Sequence, residues 1–335
     1  MLSIKENFYE TLKPTGNPDR IVNGFEFMKL IVPDPALLFT HVKLEPGNTG
    51  KDGWGVTWTW PEDQPAAVPF HTPDNLVIKD IHDWKNQLKL PGLANADLDW
   101  TDAKARADAV DRDKFLLSAF LISGIFERLH MLMGFEEALV NMMLEPDTMR
   151  ELCDAICEHR LVHAKLLIEN LHPDIILTHD DWGMKTALFM PPDVWREVLK
   201  PAYEKLYGYL KSENILIMHH ADSFMEPIAE DMVDLGIDIW QGVLPQNDIV
   251  RMQELLDGRM ILMGGIDASV VDTAFTTEKT IRDETRRACE CYGPHGHFIP
   301  CLTYGEPDVG LYPNVESMIK DEINADNKRV YGIGA

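Results

Sequence analysis

From residue 115 onward, short apolar runs alternate with helical segments, and this alternation constrains the fold more than any other feature. The apolar runs, each with the polar residues at its end, are in chain order FLLSAFL, DIILTHDD, ILIMHHAD, GIDIWQG, MILMGGID and HFIPCLTYG. Between them lie segments with helix-start signals, such as Pro146 at the start of PDTMRELCDAICEHRLVHAKLLIENL. Strands that are almost entirely apolar are buried on both faces, which indicates a parallel sheet covered by helices. A (β/α)8 barrel and a doubly wound sheet both meet this requirement.

The polar groups at the carboxyl ends of these runs favour the barrel. Strand ends meet at one mouth in a barrel, where enzymes of this fold place their sites, whereas an open sheet uses only the strands at its switch point. No GxGxxG or GxxxxGK[ST] motif follows any run, so a nucleotide-binding sheet lacks its usual signature. We therefore predict an α/β fold, a (β/α)8 TIM barrel. The polar residues at the run ends are His179, Asp180, Asp181, His219, His220, Asp222, Gln241, Asp267, Cys301, Thr303 and Glu306.

The first 110 residues are rich in Pro, Gly, Asp and Trp and differ from the rest of the chain. The segment GVTWTW alternates as a hairpin strand does, and PEDQP ends it. We predict one domain over residues 1–335, with an N-terminal entrance or lid over 1–110 and the main barrel over 111–335. Trp54, Trp58 and Trp60 can share one face of the hairpin, where they either stack on an aromatic substrate or pin the lid to the barrel.

Composition excludes several classes of partner. The formal net charge of -24 repels nucleic-acid phosphates and anionic membrane surfaces, so we expect neither as a partner. The longest apolar run, Phe115 to Phe126, is too short to span a bilayer, and the N-terminus lacks the apolar stretch of a secretory signal. We expect a cytoplasmic protein whose five cysteines are free thiols.

Three residues at the predicted mouth form a possible metal site. His220 and Asp222 are two apart on a strand, so they face one side while His219 faces the other. Cys301 reaches the mouth from another strand, and a histidine, a carboxylate and a thiolate with one open position suit catalytic zinc. The alternative is a pair of hydrogen-bonded histidines with Cys301 as a small core residue.

Asp180 and Asp181 stand where a general acid or base belongs. Two adjacent carboxylates in a partly dry site repel each other, which can raise the pKa of one of them toward neutrality. The alternative is that one of them caps a helix or loop and the other is solvated. His159 and His163 have a spacing on one helix that can hold a metal, but the HExxH motif is missing and the helix is long and amphipathic, so we expect surface or half-buried residues.

The chain resembles the uroporphyrinogen decarboxylase superfamily over residues 115 to 325. The resemblance lies in DIILTHDDWGMKTALFMPPDVWREVLKPAYEKLYGYLK, MHHADSFMEPIAEDMVDLGIDIWQG, GRMILMGGID and CLTYGEP. The segments PDRIV and DGWGVTWTWPE are similar to its corrinoid-dependent methyltransferase branch, which includes the first components of O-demethylase systems. Members are (β/α)8 barrels, so the resemblance implies the same fold here.

Two departures separate this chain from the better-known branches. The decarboxylases carry an N-terminal Arg-Gln-Ala-Gly-Arg motif that grips substrate carboxylates, but Arg20 is the only arginine before Arg106 here. The thiol-directed methyltransferases hold zinc with a His-x-Cys pair and a distant cysteine, which correspond to His220 and Cys301, with Asp222 in place of the near cysteine. An oxygen ligand would suit a Lewis acid that acts on an ether oxygen.

The resemblance therefore implies a methyltransferase that moves a methyl group from a small, aromatic methyl ether to the Co(I) corrinoid (cobalamin) of a partner protein. Its implied catalytic residues are Asp181, His219 and Asp180. A methyltransferase for methylated amines or thiols, a lyase of the same superfamily and a binding barrel without turnover remain alternatives, and a homodimer is possible. The residues predicted to bind substrate are Trp54, Trp58, Trp182, Gln241, Asp267 and Tyr304.

Overall fold

The computed structural model of the chain describes residues 1–64, 66–304, 307 and 310–332. The described residues form two sheets and a set of covering helices. The strands are β1 (Met28–Ile31), β2 (Thr49–Lys51), β3 (Thr57–Thr59), β4 (Val68–Pro69), β5 (Leu116–Leu121), β6 (Ile175–His179), β7 (Leu216–His220), β8 (Ile239–Val243), β9 (Ile261–Ile266) and β10 (Phe298–Leu302).

The larger sheet is parallel and contains seven strands in the order β1-β5-β6-β7-β8-β9-β10. Chain order and sheet order agree from β5 to β10, as expected when each strand is followed by a crossover helix. The predicted α/β class and barrel-type fold are confirmed, with seven strands among the described residues where eight were predicted. The turn before β1 lies close to β10, since a Cβ atom added to Gly24 would lie 3.9 Å from the Pro300 carbonyl oxygen.

The interior packing shows that this sheet curls on itself. One apolar cluster takes side chains from both edge strands and from every strand between them, which a flat sheet would not permit. Its strand residues recur at every second position, as side chains on one face of a strand do. The cluster consists of Phe8, Val22, Phe25, Phe27, Met28, Leu116, Phe120, Ile175, Leu177, Met218, Ile239, Ile261, Met263, Ile299 and Cys301.

The outer faces of the strands pack on the helices in a second, larger apolar cluster. The helices of the described residues are α1 (Ile4–Leu12), α2 (Pro35–Thr40), α3 (Trp84–Gln87), α4 (Thr101–Asp108), α5 (Ile125–Met133), α6 (Phe135–Leu144), α7 (Pro146–Leu171), α8 (Pro192–Val198), α9 (Lys200–Ser212), α10 (Ala229–Asp234), α11 (Ile249–Leu256), α12 (Ala268–Val271), α13 (Glu278–Tyr292) and α14 (Val315–Tyr331). Short 3-10 helices cover Ile81–Asp83, Leu93–Asn95, Glu226–Ile228 and Gly293–His295. None of the helices described here combines the length and the apolar character needed to cross a bilayer. All five cysteines are unpaired, as predicted.

The N-terminal segment contains the predicted hairpin, an antiparallel sheet of β2, β3 and β4. Asp52 ties this hairpin to the barrel. Its carboxylate accepts hydrogen bonds from the backbone N–H groups of Trp54 and Val56, both at 2.9 Å, and from the Trp58 indole at 3.0 Å. It also forms a buried ion pair with Arg128 of α5, at 3.0 Å.

The last helix joins the two edges of the sheet. The Asn327 side chain accepts a hydrogen bond from the Ile21 N–H and donates one to the Ile21 carbonyl oxygen, both at 2.9 Å. The Asn23 side chain donates to the Lys320 carbonyl oxygen at 2.9 Å. Helix α14 therefore holds the segment before β1 beside β10.

A buried histidine makes the stability of this fold depend on pH. His159 of α7 packs on Trp54 with ring centroids 4.5 Å apart, and burial, with Arg160 and other positive neighbours, lowers its pKa to about 3. The unfolded chain binds a proton there below its ordinary pKa of about 6.5, whereas the folded chain does not. The stability contributed by neutral His159 is therefore present above pH 6.5 and is lost as the pH falls.

We expect His159→Phe, which keeps an aromatic ring on Trp54, to flatten this acid dependence. At pH 5.5 the histidine costs the wild type about 1.4 kcal/mol of unfolding free energy relative to neutral pH, and the variant escapes this loss. Urea unfolding at pH 7.5 and 5.5 measures the difference. The matched control is His82→Phe, which introduces the same side chain at an exposed position and leaves the buried imidazole in place. An equal decrease in unfolding free energy from pH 7.5 to pH 5.5 in the wild type and in His159→Phe would contradict the lowered pKa of His159.

Candidate active site

Three predicted strand-end residues come together at the carboxyl end of the barrel. Each of His179, Asp181 and His220 offers one ligand atom, and these atoms all lie within 4.8 Å of one another. His179 ends β6 and His220 ends β7, and the two are register partners in the parallel pair. Their rings lie 4.5 Å apart between centroids. This group of residues is called the mouth cluster below.

The alternation of the strands explains why these side chains face the interior. Ile175 and Leu177 of β6 point into the barrel core, so His179, two residues further on, continues the same face. Met218 of β7 places His220 on the interior face in the same way. The Asp222 backbone N–H donates to Asp181 Oδ1 at 3.0 Å, which fixes that carboxylate beside the strand ends.

Glu127 is a member of this site that the sequence reasoning missed. It lies in the first turn of α5, directly after β5, and its Oε1 is 3.6 Å from His179 Nε2. Asp181 Oδ2 lies at the same distance, 3.6 Å, from His179 Nε2. His179 therefore stands between two carboxylates. The available signal was the acidic residue in SGIFERLH, one helical turn after the apolar run FLLSAFLI.

The charges of the mouth cluster support one another. Burial opposes a charged imidazole, but Glu127 and Asp181 more than offset this and raise the pKa of His179 to about 9. Burial likewise acts to raise the pKa of Asp181, but the hydrogen bond from His179 and the neighbouring histidines hold it below its ordinary value. The site therefore combines a proton-binding imidazole with an ionised carboxylate.

Two further carboxyl groups beside the mouth cluster bind protons more strongly than usual. Burial raises the pKa of Glu127 to about 7, although His179 acts in the opposite direction. Burial and the Asp181 carboxylate raise the pKa of Asp222 to about 7. Groups that titrate near neutral pH suit proton transfer, because they can both hold and release a proton under working conditions.

His220 is a neutral imidazole whose tautomer is fixed by Gln241. Burial and the neighbouring His179 lower its pKa to about 4. Its Nδ1 lies 2.5 Å from the Gln241 side-chain oxygen, so Nδ1 carries the proton and Nε2 is left as an acceptor. The Gln241 amide is oriented in turn by donating to the Tyr304 carbonyl oxygen at 2.9 Å. An imidazole fixed by a hydrogen bond at its other nitrogen is the usual form of a metal ligand.

The mouth cluster fits zinc, although with a different ligand set from the predicted one. Two imidazoles and one carboxylate with an open position match a known type of catalytic zinc site, in which His179 would bind as the neutral imidazole after releasing its proton. Of the predicted ligands, His220 belongs to the cluster, whereas Asp222 and Cys301 do not. Cys301 is buried and lies beyond Gln241, whose amide nitrogen is 3.8 Å from its sulfur. The amide therefore stands between His220 and the thiol.

Asp180 and His219, both predicted to be catalytic, are fully buried behind the strand ends. The Asp180 carboxylate accepts hydrogen bonds from the backbone N–H groups of Phe126 and Glu127, the Trp182 indole and the Tyr203 hydroxyl. It joins the start of α5 to β6 and α9, as in the capping alternative. His219 Nδ1 lies 2.8 Å from the Tyr207 hydroxyl, and its Nε2 is 3.2 Å from the Asp180 carbonyl oxygen.

The residues predicted to bind substrate occupy different environments. Trp54 and Trp182 are core side chains, with 1% and 0% of their surface exposed. Trp58 is half-buried, and its indole N–H is engaged by Asp52. Asp267 is half-buried and caps α12 by accepting from the Ser269 N–H, whereas Tyr304 is half-buried beside Gln241.

The remaining candidates from the strand ends and from α7 are not members of the mouth cluster. Thr303 is buried, and Glu306 lies outside the described residues. His163 is fully buried and its Nε2 contacts the Asp34 carboxylate at 3.1 Å. Neither His159 nor His163 belongs to the metal-capable group found among the described residues. Both are packing residues of α7.

Comparison with known proteins agrees with this fold. A methyltransferase from Methanosarcina mazei has a similar structure, with a TM-score of 0.65 and 16% identity, over 99% of this chain and 100% of that one. An endo-beta-N-acetylglucosaminidase from Cordyceps militaris is less similar, with a TM-score of 0.33 and 9% identity over 69% of this chain and 78% of that one. No curated protein matches the sequence.

The family comparison rests on sequence. The model of the family described as uroporphyrinogen decarboxylase (URO-D) matches residues 107–307, which is more than half of the chain. That range contains β5 to β10 together with Glu127, His179, Asp181 and His220 of the site described above. The chain belongs to the uroporphyrinogen decarboxylase family.

Proposed function

We propose that this protein is a methyltransferase that takes a methyl group from a small methyl ether, aromatic in character, and passes it to the corrinoid of a partner protein. The observation that carries the proposal is the mouth cluster of His179, Asp181 and His220, with Glu127 beside it, at the catalytic end of a family barrel. The fold shared with a methyltransferase supports it.

The charge distribution argues against decarboxylation of a polyanion. Such a substrate needs several cations at the mouth, whereas here four carboxyl groups, those of Glu127, Asp181, Asp222 and Asp180, lie at or directly behind it. The net charge of -24 and the lack of an N-terminal arginine motif point in the same direction. A neutral ether requires no such compensation.

The reaction sets the task for the chain's own residues. The nucleophile forms a bond to the methyl carbon on the side opposite the ether oxygen. The bond between the methyl carbon and that oxygen breaks, and its electron pair stays on the oxygen. That oxygen becomes a phenolate, which leaves poorly unless its charge is neutralised. Co(I) of the partner's corrinoid supplies the nucleophile when it is bound.

We assign that neutralisation to the mouth cluster. His179, Asp181 and His220 would hold a zinc ion, which when bound supplies a Lewis acid for the ether oxygen. Glu127 would hold a proton at its carboxyl oxygen and deliver it to the leaving phenolate, so that a phenol is released. Gln241 keeps His220 in the required tautomer, and Asp180 and His219 act as positioning residues behind the strands. Of the predicted substrate-binding residues, Tyr304 is half-buried beside Gln241, and Trp58 is half-buried on the hairpin.

Single-turnover assays test the function directly. Purified protein is mixed with a panel of methoxybenzenes and free Co(I) cobalamin under strict anaerobic conditions, and methyl-cobalt formation is followed by absorbance. We expect one methyl-cobalt per phenol released. Absence of any methyl-cobalt from the ether panel, with formation from a methylamine or methylthiol panel, would move the assignment to those substrates. No turnover with any panel would overturn the methyltransferase proposal.

Glu127→Gln should slow the reaction by about a hundredfold in kcat, because general acid catalysis contributes effects of that order. The substitution keeps the volume and a hydrogen-bonding group but removes the acidic proton. The matched control is Glu136→Gln on neighbouring α6, where the side chain is exposed and kcat should not change. A substrate with a better leaving group, such as a nitro-substituted methoxybenzene, should recover part of the loss. Equal loss for both leaving groups would contradict proton donation.

A further inference from the structure

A buried cationic cluster surrounds Trp54, and it shares no residue with the mouth cluster. The guanidinium groups of Arg128 in α5 and Arg160 in α7 lie 4.8 and 5.2 Å from the Trp54 ring centroid. The exposed fractions of the two arginines are 0% and 1%. Two guanidinium groups are thus removed from water within contact of one indole.

Only one of the two charges has a carboxylate partner. Arg128 pairs with Asp52 at 3.0 Å and donates to the Ser123 hydroxyl at 3.2 Å. Arg160 makes one hydrogen bond, to the Ile122 carbonyl oxygen at 2.8 Å. No carboxylate oxygen of a described residue lies within 4.0 Å of the Arg160 guanidinium nitrogens. Burial and the Arg128 charge lower the pKa of Arg160 to about 9, so it remains a cation at neutral pH.

Several N–H donors of this cluster have no hydrogen-bond partner among the described residues. They are Nε and Nη2 of Arg160, Nε of Arg128 and the indole Nε1 of Trp54. All four atoms are shielded from solvent. Each of these groups can only donate, so they cannot satisfy one another. Neutral His159 packs on Trp54, but neither of its ring nitrogens has a hydrogen-bond partner among the described residues. Buried donors without acceptors are costly, and a buried cation without a counter-ion is more so.

The nearby acidic groups are already engaged. The Asp34 carboxylate accepts from His163 and from the N–H groups at the start of α2. Asp180 is committed to its own four donors. Glu127, whose charge also acts on both arginines, faces His179 at 3.6 Å. Half-buried His41 lies at the outer side of the cluster, and burial together with Arg128 and Arg160 lowers its pKa to about 4. The local field is therefore positive and calls for one negative charge.

We propose that this cluster binds one small monovalent anion, either a halide or the carboxylate of a small organic acid, between Arg160, Arg128 and the Trp54 indole. A single charge matches the one uncompensated guanidinium. A planar fork of N–H groups suits both a spherical halide and a carboxylate. The proposal does not rest on the proposed methyl transfer, because its residues are distinct from the mouth cluster.

Thermal unfolding of the full-length protein tests the site. Sodium bromide or sodium formate replaces sodium gluconate, whose anion is too large for the cluster, at constant ionic strength. We expect Tm to rise saturably by about 3 °C, since a ligand that binds only the folded state stabilises it. Arg160→Met should abolish this response and, without added anion, unfold at the wild-type Tm or higher, because it removes an unpaired buried charge. The control Arg150→Met, on the exposed side of α7, should keep the full response.

Diffraction from bromide-soaked crystals of the wild type gives a readout that does not depend on the folding of a variant. An anomalous peak within hydrogen-bonding distance of Arg160 supports the proposal. Saturation with bromide alone identifies an inorganic anion, whereas competition of formate, but not of neutral formamide, against bromide identifies a small organic carboxylate. A flat Tm with no bromide peak, or an unchanged response in Arg160→Met, would overturn the proposal in favour of internal water.

Discussion

Protein purified without chelators should carry about one zinc ion per chain, and His179→Ala or Asp181→Asn should lose it. These two residues complete the mouth cluster with His220, and removing one of three protein ligands leaves too few donors for tight binding. Turnover should fall at least about a thousandfold, because a Lewis acid contributes several kcal/mol of transition-state stabilisation. Elemental analysis and the methyl-cobalt assay on the same samples measure both effects.

Two further variants decide between the possible ligand sets. Cys301→Ser and Asp222→Asn should retain the metal, since neither side chain belongs to the mouth cluster. The set implied by the family resemblance, His220 with Asp222 and Cys301, requires the opposite result for these two. Metal lost in Cys301→Ser but kept in His179→Ala would therefore refute the mouth cluster as the zinc site. If no sample contains zinc, even after zinc has been added, proton donation by Glu127 would be the only means of activating the ether oxygen as a leaving group.

Asp180→Asn should be the most destabilising single substitution at the site, costing about 3 kcal/mol or more of unfolding free energy. The Asp180 carboxylate accepts from two backbone N–H groups, the Trp182 indole and the Tyr203 hydroxyl in a fully buried position. An amide would direct its own N–H groups at some of these donors. Urea unfolding monitored by tryptophan fluorescence measures the loss.

The same variant separates a positioning residue from a catalytic one. The folded fraction of Asp180→Asn should keep KM close to the wild-type value. Its kcat should fall to the extent that α5 moves and displaces Glu127. Asp154→Asn, an exposed carboxylate paired with Lys205, is the control and should change neither stability nor kcat. Wild-type stability combined with a kcat lowered a thousandfold would instead support the catalytic role that the sequence suggested for Asp180.

The barrel and its mouth could be predicted from the sequence because strands that are buried on both faces of a sheet consist of nearly continuous apolar residues. The alternation of side chains along each strand also predicts which strand-end residues face the interior. It placed His220 correctly, and applied to Ile175 and Leu177 it would also have placed His179 and Asp181 on the interior face. What it could not supply is the register between β6 and β7, which brings His179 beside His220 and depends on packing across the sheet.

Glu127 and Trp54 illustrate what the sequence leaves open. The side chain of Glu127 faces His179 because of the angle at which α5 leaves β5, and this angle is set by tertiary contacts such as those of Asp180. A tryptophan on a hairpin can face a ligand or the core. Trp54 is buried because Arg128 and Arg160 pack on its ring, and neither arginine is close to it in sequence.

The two hydrogen bonds between Asn327 and Ile21 also bear on how the chain folds during synthesis. Each strand from β6 onward docks on the strand made just before it, so most of the sheet can grow in the order in which residues leave the ribosome. Ile21 and Asn327 are 306 residues apart, so their contact carries a large loop-closure entropy. The segment before β1 therefore gains these two hydrogen bonds only after α14 has been synthesised, and a nascent chain that stops before α14 lacks them.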